Sequence, residues 1–378
     1  MRKILIVFGT RPEAIKLCPL IWHLRTQPRI KTVVCVTGQH SDMLAQVLEV
    51  FRVEPDYNLA LMTPAQTLYQ SAARILSALE DVLQAEKPDV IVVQGDTTTT
   101  FCGALAAFYQ KIPLAHVEAG IRTGDIHQPF PEEMNRVLTG RLATLHFAAT
   151  KWAADNLYRE GVCADSVWVT GNTGIDAVLH TVARLEAGEI QASVEPALDA
   201  DKKLIVVTAH RRENFGIGLD GICAALRQLA DRGDVQIVFP VHPNPAIQQG
   251  ARKWLAGSGN IMLIEPLDYV SFINLMRRAY MIITDSGGIQ EEAPSLGKPV
   301  LVLRKKTERP EAVAAGTVVL VGTDPAKIVA EASLLLDTPT VYLSRARLHN
   351  PYGDGQARQR IGSELAQFVG EDARAAVA

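Results

Sequence analysis

Short apolar runs recur along the chain, each followed by a stretch of helical composition. In the first half they are KILIVF (3–8), KTVVCVT (31–37), DVIVVQ (89–94), IPLAHV (112–117), LHFAA (145–149) and VWVT (167–170). In the second half they are KLIVVT (203–208), VQIVFP (235–240), IMLI (261–264), YMIIT (280–284), PVLVL (299–303) and TVVLV (317–321). Strands this continuously apolar are buried on both faces, the condition of parallel strands covered by helices. Two such series predict an α/β fold of two Rossmann-like, doubly wound parallel-sheet domains. The joint is expected near TGN (170–172). That gives an N-terminal domain over 1–170 and a C-terminal domain over 171–352, with 186–202 a polar linker after a helix. The tail, 353–378, carries the amphipathic ARQRIGSELAQFV and is expected to pack back on the first domain.

Polar residues gather at the ends of these strands. KILIVF runs into GTRPEAIK, DVIVVQ into GDTTTT, IPLAHV into EAGIRTGD, KLIVVT into AHRREN and YMIIT into DSGG. Open parallel sheets bind ligands outside the carboxyl ends of their strands. The chemistry is therefore expected where two domains face across a cleft.

Composition narrows the classes. A chain of 378 residues with 48% hydrophobic and 21% charged positions suits two packed globular domains. Net charge is −3 and no basic tract stands out, which argues against nucleic acid or an anionic membrane as partner. No apolar stretch approaches the ~20 residues of a membrane span. The opening MRKILIVFGTRPEA is too short in its apolar run for a signal peptide, and Arg11, Glu13 and Lys16 follow at once. The five cysteines, at 18, 35, 102, 163 and 223, form no CxxC or Cys/His pattern. Free thiols in a reducing cytoplasm, and no metal site, are the expectation.

The densest motif is TDSGGIQEEAPSLGKPV (284–300). Ser286, Gly287 and Gly288 lie between strand and helix, where free backbone N–H groups can hold a phosphate or simply make a flexible cap. Of the two acids beyond, Glu291 and Glu292, one is suited to accept hydrogen bonds from ribose hydroxyls. Pro294 predicts a short or kinked helix. Arg11, Lys16 and Arg309 are candidate phosphate contacts, with solvated helix cations as the alternative. A GxGxxG occurs at Gly216, Gly218 and Gly221, but HRRENF separates it from its strand and no acid ends the next one, so it does not read as a dinucleotide turn. Asp96, Glu118, Glu132 and His210 are the acid/base candidates. Each alone also fits a helix cap or a core position; together, near a phosphate-type site, they point to proton transfer. His242 and Asp285 read as structural, Asp285 as the organiser of its turn.

FGTRPEAIK, QGDTTTT, HVEAGIRTGD, PFPEEMNR, TGNTGID, TAHRRENFG, TDSGGIQEEAPSLGKPVLV, TERPEAV and NPYGDG occur in this order along the whole chain. In these stretches the sequence resembles the non-hydrolysing UDP-N-acetylglucosamine 2-epimerases of bacteria. The resemblance implies a GT-B-like pair of Rossmann-like domains around a deep cleft, with the segment after NPYGDG crossing back to the first. It implies Asp96, Glu118, Glu132 and His210 as the catalytic set. It implies Arg11, Lys16, Ser286, Gly287, Gly288, Glu292 and Arg309 around the UDP, with Phe272 near the uracil. The implied substrate is UDP-N-acetylglucosamine, with no redox cofactor and a homodimeric assembly. The implied route is loss of UDP to 2-acetamidoglucal and re-addition with inversion at C2. Relatives activated by a second substrate molecule carry an Arg before the QTL stretch and a Gln where Asp42 stands; this chain has Ala65 and Asp42. A GT-B glycosyltransferase using a UDP-sugar, a hydrolysing epimerase and a non-catalytic nucleotide-sugar sensor are the rival readings. A transferase needs an acceptor, the full GTRPEAIK and HRREN patterns argue against the hydrolase, and a sensor has no need of the acid set.

Overall fold

The structure, a computed structural model, describes residues 1–38, 42–63, 65–347 and 349–370, without the side chains of 42, 43 and 212. The chain forms two compact units: Met1–Ala177 with Tyr352–Ala378, and Val178–Pro351. They part inside the helix Thr173–Glu186, just beyond the TGN stretch.

The first unit contains β1 (Arg2–Phe8), β2 (Ile30–Val36), β3 (Tyr57–Asn58), β4 (Val90–Gln94), β5 (Leu114–Ala119), β6 (Leu145–Ala148) and β7 (Val167–Val169). They form a parallel sheet in the order β3-β2-β1-β4-β5-β6-β7. The second contains β8 (Lys203–Thr208), β9 (Val235–Pro240), β10 (Ile261–Ile264), β11 (Met281–Thr284), β12 (Val300–Val302) and β13 (Val318–Leu320). Its parallel order is β10-β9-β8-β11-β12-β13. Burial explains the apolar runs: Ile4, Leu5, Ile6 and Val7, and likewise Ile205, Val206 and Val207, are shut off from solvent on both faces. β3 breaks the rule; a two-residue edge strand leaves no apolar run to read.

Each strand order reverses once, between β1 and β4 in the first unit and between β8 and β11 in the second. Such a switch point opens a crevice at the strand carboxyl ends. GTRPE and GDTTTT lie at the first, AHRREN and DSGG at the second.

Three local features answer the sequence directly. Helix Ala357–Gly370 buries Ile361, Leu365 and Val369 and packs on helix Arg11–Arg25, so the tail's helical part does return to the first unit. Asp176, fully buried, holds its start by accepting from Ala357 N at 3.2 Å and Arg358 N at 3.1 Å. Helix Gly287–Glu292 is short and passes at Pro294 into the 3-10 turn Ala293–Leu296. The GxGxxG serves packing: a Cβ on Gly221, in helix Ile217–Ala230, would stand 2.4 Å from the carbonyl oxygen of Thr323. No helix among the described residues is long and apolar enough to cross a membrane.

Candidate active site

The GTRPE and DTTTT stretches meet through Glu13. Thr10 caps helix Arg11–Arg25, with Pro12 in the first turn, and Glu13 completes the capping box by accepting from Thr10 N at 2.7 Å and Gly9 N at 3.0 Å. Its other oxygen accepts from Thr97 Oγ1 at 2.7 Å and Thr100 Oγ1 at 3.1 Å, at the start of helix Thr98–Tyr109. Burial raises the Glu13 carboxyl above its ordinary value, and these hydrogen bonds only partly offset the rise. The arrangement fixes the loops on either side of the first switch point. Arg11 and Lys16 project from the helix that Glu13 anchors.

Two catalytic candidates stand side by side here. Glu118 sits in β5 at a register shift between Val117 and Ala119, with φ of +64°. A bulge re-aims a strand side chain, and positive φ in a non-glycine residue is strain held by its surroundings. Those surroundings are a cation and two amides. Lys16 Nζ donates to both Glu118 oxygens, at 2.6 and 2.7 Å. Gln94 donates to Oε2, and Asn172 Nδ2 reaches Oε1 at 3.4 Å. Lys16 therefore partners a catalytic candidate directly, a contact its reading as a phosphate ligand did not include.

Asp96 follows β4. Arg136 clasps its Oδ2 with Nε at 2.9 Å and Nη2 at 2.7 Å, and Asn135 Nδ2 donates to its carbonyl at 2.9 Å. Burial drives the Asp96 carboxyl up, Arg136 pulls it down, and the charge of Glu118 pushes it up again; it ends above its ordinary value. Beside it, His116 is buried and held neutral, with a pKa near about 3 from desolvation. Its Nε2–H donates to the carbonyl of Gly95 at 2.7 Å, steadying the turn that carries Asp96.

Glu132 opens helix Glu132–Leu142 and is half-buried, with no hydrogen bond or ion pair to Asp96 or Glu118 among the described residues. Its neighbour Glu133 is the one turned inward. It accepts from Thr123 N at 2.8 Å, Gly124 N at 3.1 Å and Arg136 Nη1 at 2.9 Å. Glu133 and Arg136 escaped the sequence reading, although an acid three residues before an arginine on one helix face was visible in EEMNR.

In the second unit, Asp285 is fully buried at the end of β11 and does more than close its turn. It accepts from His210 N at 2.9 Å, Arg211 N at 2.9 Å and Asn214 Nδ2 at 2.9 Å, and its Oδ1 lies 3.1 Å from His210 Nδ1. Burial pushes its carboxyl up, but the His210 hydrogen bond and charge and the backbone donors outweigh it, and the group sits below its ordinary value. The ring of His242 stacks on that of His210, centroids 5.9 Å apart.

The glycines of DSGG have an unexpected neighbour. A Cβ on Gly287 would stand 2.6 Å from Arg309 Nη1 and 2.7 Å from Cζ. Gly287 thus admits the guanidinium of Arg309, which donates to Glu291 and, through Nη1, to Glu308 at 2.8 Å. Glu291, buried, is the acid that holds Arg309; the Oε1 of Glu292 would lie 3.7 Å from a Cβ on Gly288. Ser286 makes no side-chain cap to the helix. Phe272 is half-buried on helix Tyr269–Arg278, which Asp268 caps through Ser271 N at 3.0 Å. Among the described residues, no cluster of three or more His, Cys, Asp or Glu side chains is arranged to hold a metal.

Two doubly wound parallel-sheet units, each with its polar side chains gathered at a switch point, define an α/β protein of GT-B-like architecture. The chain belongs to the UDP-N-acetylglucosamine 2-epimerase family, whose model it matches over residues 23–366. It is 53% identical to a UDP-N-acetylglucosamine 2-epimerase of Salmonella typhimurium, over 97% of this chain and 99% of the relative. It superposes on the UDP-GlcNAc 2-epimerase of Neisseria meningitidis bound to UDP-GlcNAc with a TM-score of 0.90 and 47% identity, covering 97% of this chain and 100% of the other. A Staphylococcus aureus relative solved with UDP has a TM-score of 0.87 and 47% identity, over 98% and 97% of the two chains.

Proposed function

We propose that this chain is a carbohydrate epimerase that reversibly inverts C2 of UDP-N-acetylglucosamine, giving UDP-N-acetylmannosamine. The observation that carries the reading is the pair Asp96 and Glu118 at adjacent strand ends, each clasped by its own cation, in a chain of this family.

The C2 hydrogen is hard to remove, because the carbon bears an acetamido nitrogen and no carbonyl to spread a carbanion. Departure of UDP from C1 builds positive charge there and acidifies the hydrogen on C2. Loss of both gives 2-acetamidoglucal and UDP. Re-addition with the hydrogen on the opposite face completes the inversion. Both directions need groups that give and take a proton, and Asp96, Glu118 and Glu132 are the carboxyls assigned to that work. The raised Asp96 carboxyl holds a proton more readily than an ordinary aspartate, which suits a group that must both give and take one. His210 is assigned to the departing phosphate. Arg11, Lys16, Ser286, Gly287, Gly288, Glu292 and Arg309 are assigned to the UDP, and Phe272 to the uracil. Lys16 would join its Glu118 contact to that role. The route moves a proton and a leaving group and no hydride, so it calls for no redox cofactor.

We further infer a homodimer working in the cytoplasm. Tyr69, Phe108, Tyr109 and Leu138 are exposed on three consecutively packed helices of the first unit, and the five cysteines are all free. Sedimentation should then return twice the 41.1 kDa chain mass.

The deciding experiment is proton NMR of the purified protein with UDP-N-acetylglucosamine alone in D₂O. The expected result is a new UDP-N-acetylmannosamine anomeric signal with deuterium at C2. Free N-acetylmannosamine with UDP would make the chain a hydrolysing epimerase. No reaction until an acceptor is supplied would make it a glycosyltransferase.

A further inference from the structure

The catalytic histidine candidate does not stand alone. Asp285 is fully buried, and its donors divide between its oxygens. Oδ2 takes His210 N, Arg211 N and Asn214 Nδ2, each at 2.9 Å. Oδ1 takes the His210 ring at Nδ1, 3.1 Å away, and shares His210 N at 3.1 Å. A carboxylate only accepts, so the hydrogen of the contact belongs to Nδ1, and Nε2 is the nitrogen left to act. The anchorage is rigid: the backbone of His210 and its ring are gripped by the same side chain. Asn214 is itself tied to the carbonyl of Leu303 at 3.2 Å, at the end of the neighbouring strand β12.

We propose that Asp285 is a positioning residue for catalysis: it fixes His210 as the Nδ1–H form and holds its imidazolium, so that Nε2–H is the donor offered to the departing phosphate. The inference rests on the assignment of His210 to that phosphate. A leaving diphosphate gains negative charge as the C1–O bond breaks, and a donor already oriented costs no reorganisation at that moment. A carboxylate about 3 Å from the other ring nitrogen favours the charged imidazole. His242 stacks on the ring, and Arg211, next in the chain, has its guanidinium 3.7 Å from Glu308. Neither His242 when protonated nor Arg211 can accept the Nδ1 proton, so Asp285 is the acceptor that orients the ring.

The test uses the full-length protein labelled with ¹⁵N-histidine, with Asp285→Asn beside the wild type and His210→Gln to assign the signal. In the wild type the His210 ring should carry its proton on Nδ1. In Asp285→Asn, whose amide can donate to Nδ1, the proton of the neutral ring should move to Nε2. The kcat for epimerisation should fall with that change, while KM for UDP-N-acetylglucosamine changes less than kcat. A merely structural Asp285 would lower the melting temperature and leave both the tautomer and kcat in place, which overturns the proposal. So does an Nε2–H tautomer in the neutral wild-type ring, a result that stands even if the variant fails to fold. The tautomer readout needs no turnover, so a protein that does not epimerise the substrate sinks the function and leaves the Asp285–His210 pairing separately readable.

Discussion

Gly287 and Arg309 occupy what would otherwise be one space: the guanidinium's Nη1 lies 2.6 Å from the point where any side chain on residue 287 would begin. The glycine therefore seats the arginine as well as exposing backbone N–H groups. Gly287→Ala should push Arg309 off Glu291 and Glu308 and weaken UDP about ten-fold, roughly 1.4 kcal/mol. In an Arg309→Ala background the same change should cost little. Isothermal titration with UDP over the four proteins checks this, and additive losses would mean that Gly287 acts without Arg309.

Asp96 is bound by Arg136, a residue of its own unit, whereas most of the UDP candidates belong to the second. Asp96→Asn keeps the shape and removes the acid. Turnover should fall about 10²–10⁴-fold, the usual worth of a positioned acid or base. UDP affinity should stay within about two-fold, since the change leaves the assigned UDP ligands in place. Near-normal turnover would remove Asp96 from the chemical step.

What the sequence revealed and what it hid divide along a physical line. Strands buried on both faces carry their own signal, so KLIVVT and YMIIT mark β8 and β11 almost to the residue, whereas the two-residue Tyr57–Asn58 carries none. Side chains at strand ends, such as Asp96 and His210, are legible because position alone makes them candidates. Their partners are not. Arg136 lies 40 residues from Asp96, Lys16 lies 102 from Glu118, and Asp285 lies 75 from His210. Only the closing of the sheet brings them together. The glycines mislead for the same reason: GxGxxG looks like a ligand turn until Thr323 is seen against Gly221.

Glu308 ties acid stability to the second unit. Although burial pushes its carboxyl up, Arg309 and Arg304 outweigh it and bring the pKa to about 2, against 4.5 for an ordinary glutamate. On acidification the unfolded chain takes up this proton first. The stabilisation is therefore complete above about pH 4.5 and is lost as the pH falls toward about 2. The contribution lost between pH 6 and pH 3 is about 2 kcal/mol. Urea unfolding of wild type and Glu308→Gln at both pH values should show their difference shrinking by that amount. A difference constant with pH would mean that the arginines do not hold Glu308 charged.

Gly362 and His23 offer a test of how the tail docks, because two effects there have opposite signs. Replacing a helix-interior glycine by alanine normally stabilises by about 1 kcal/mol. At Gly362, within helix Ala357–Gly370, a Cβ would stand 2.2 Å from His23 Cδ2 and 2.8 Å from Nε2. Overpacking of that kind costs about 1–3 kcal/mol, so Gly362→Ala should destabilise the wild type. With His23→Ala the obstruction is gone, and the same substitution should stabilise by about 1 kcal/mol. The sign reversal, read from urea midpoints of the four proteins, is the signature of the ring lying against the glycine. Stabilisation in both backgrounds would place the tail helix elsewhere on the first unit.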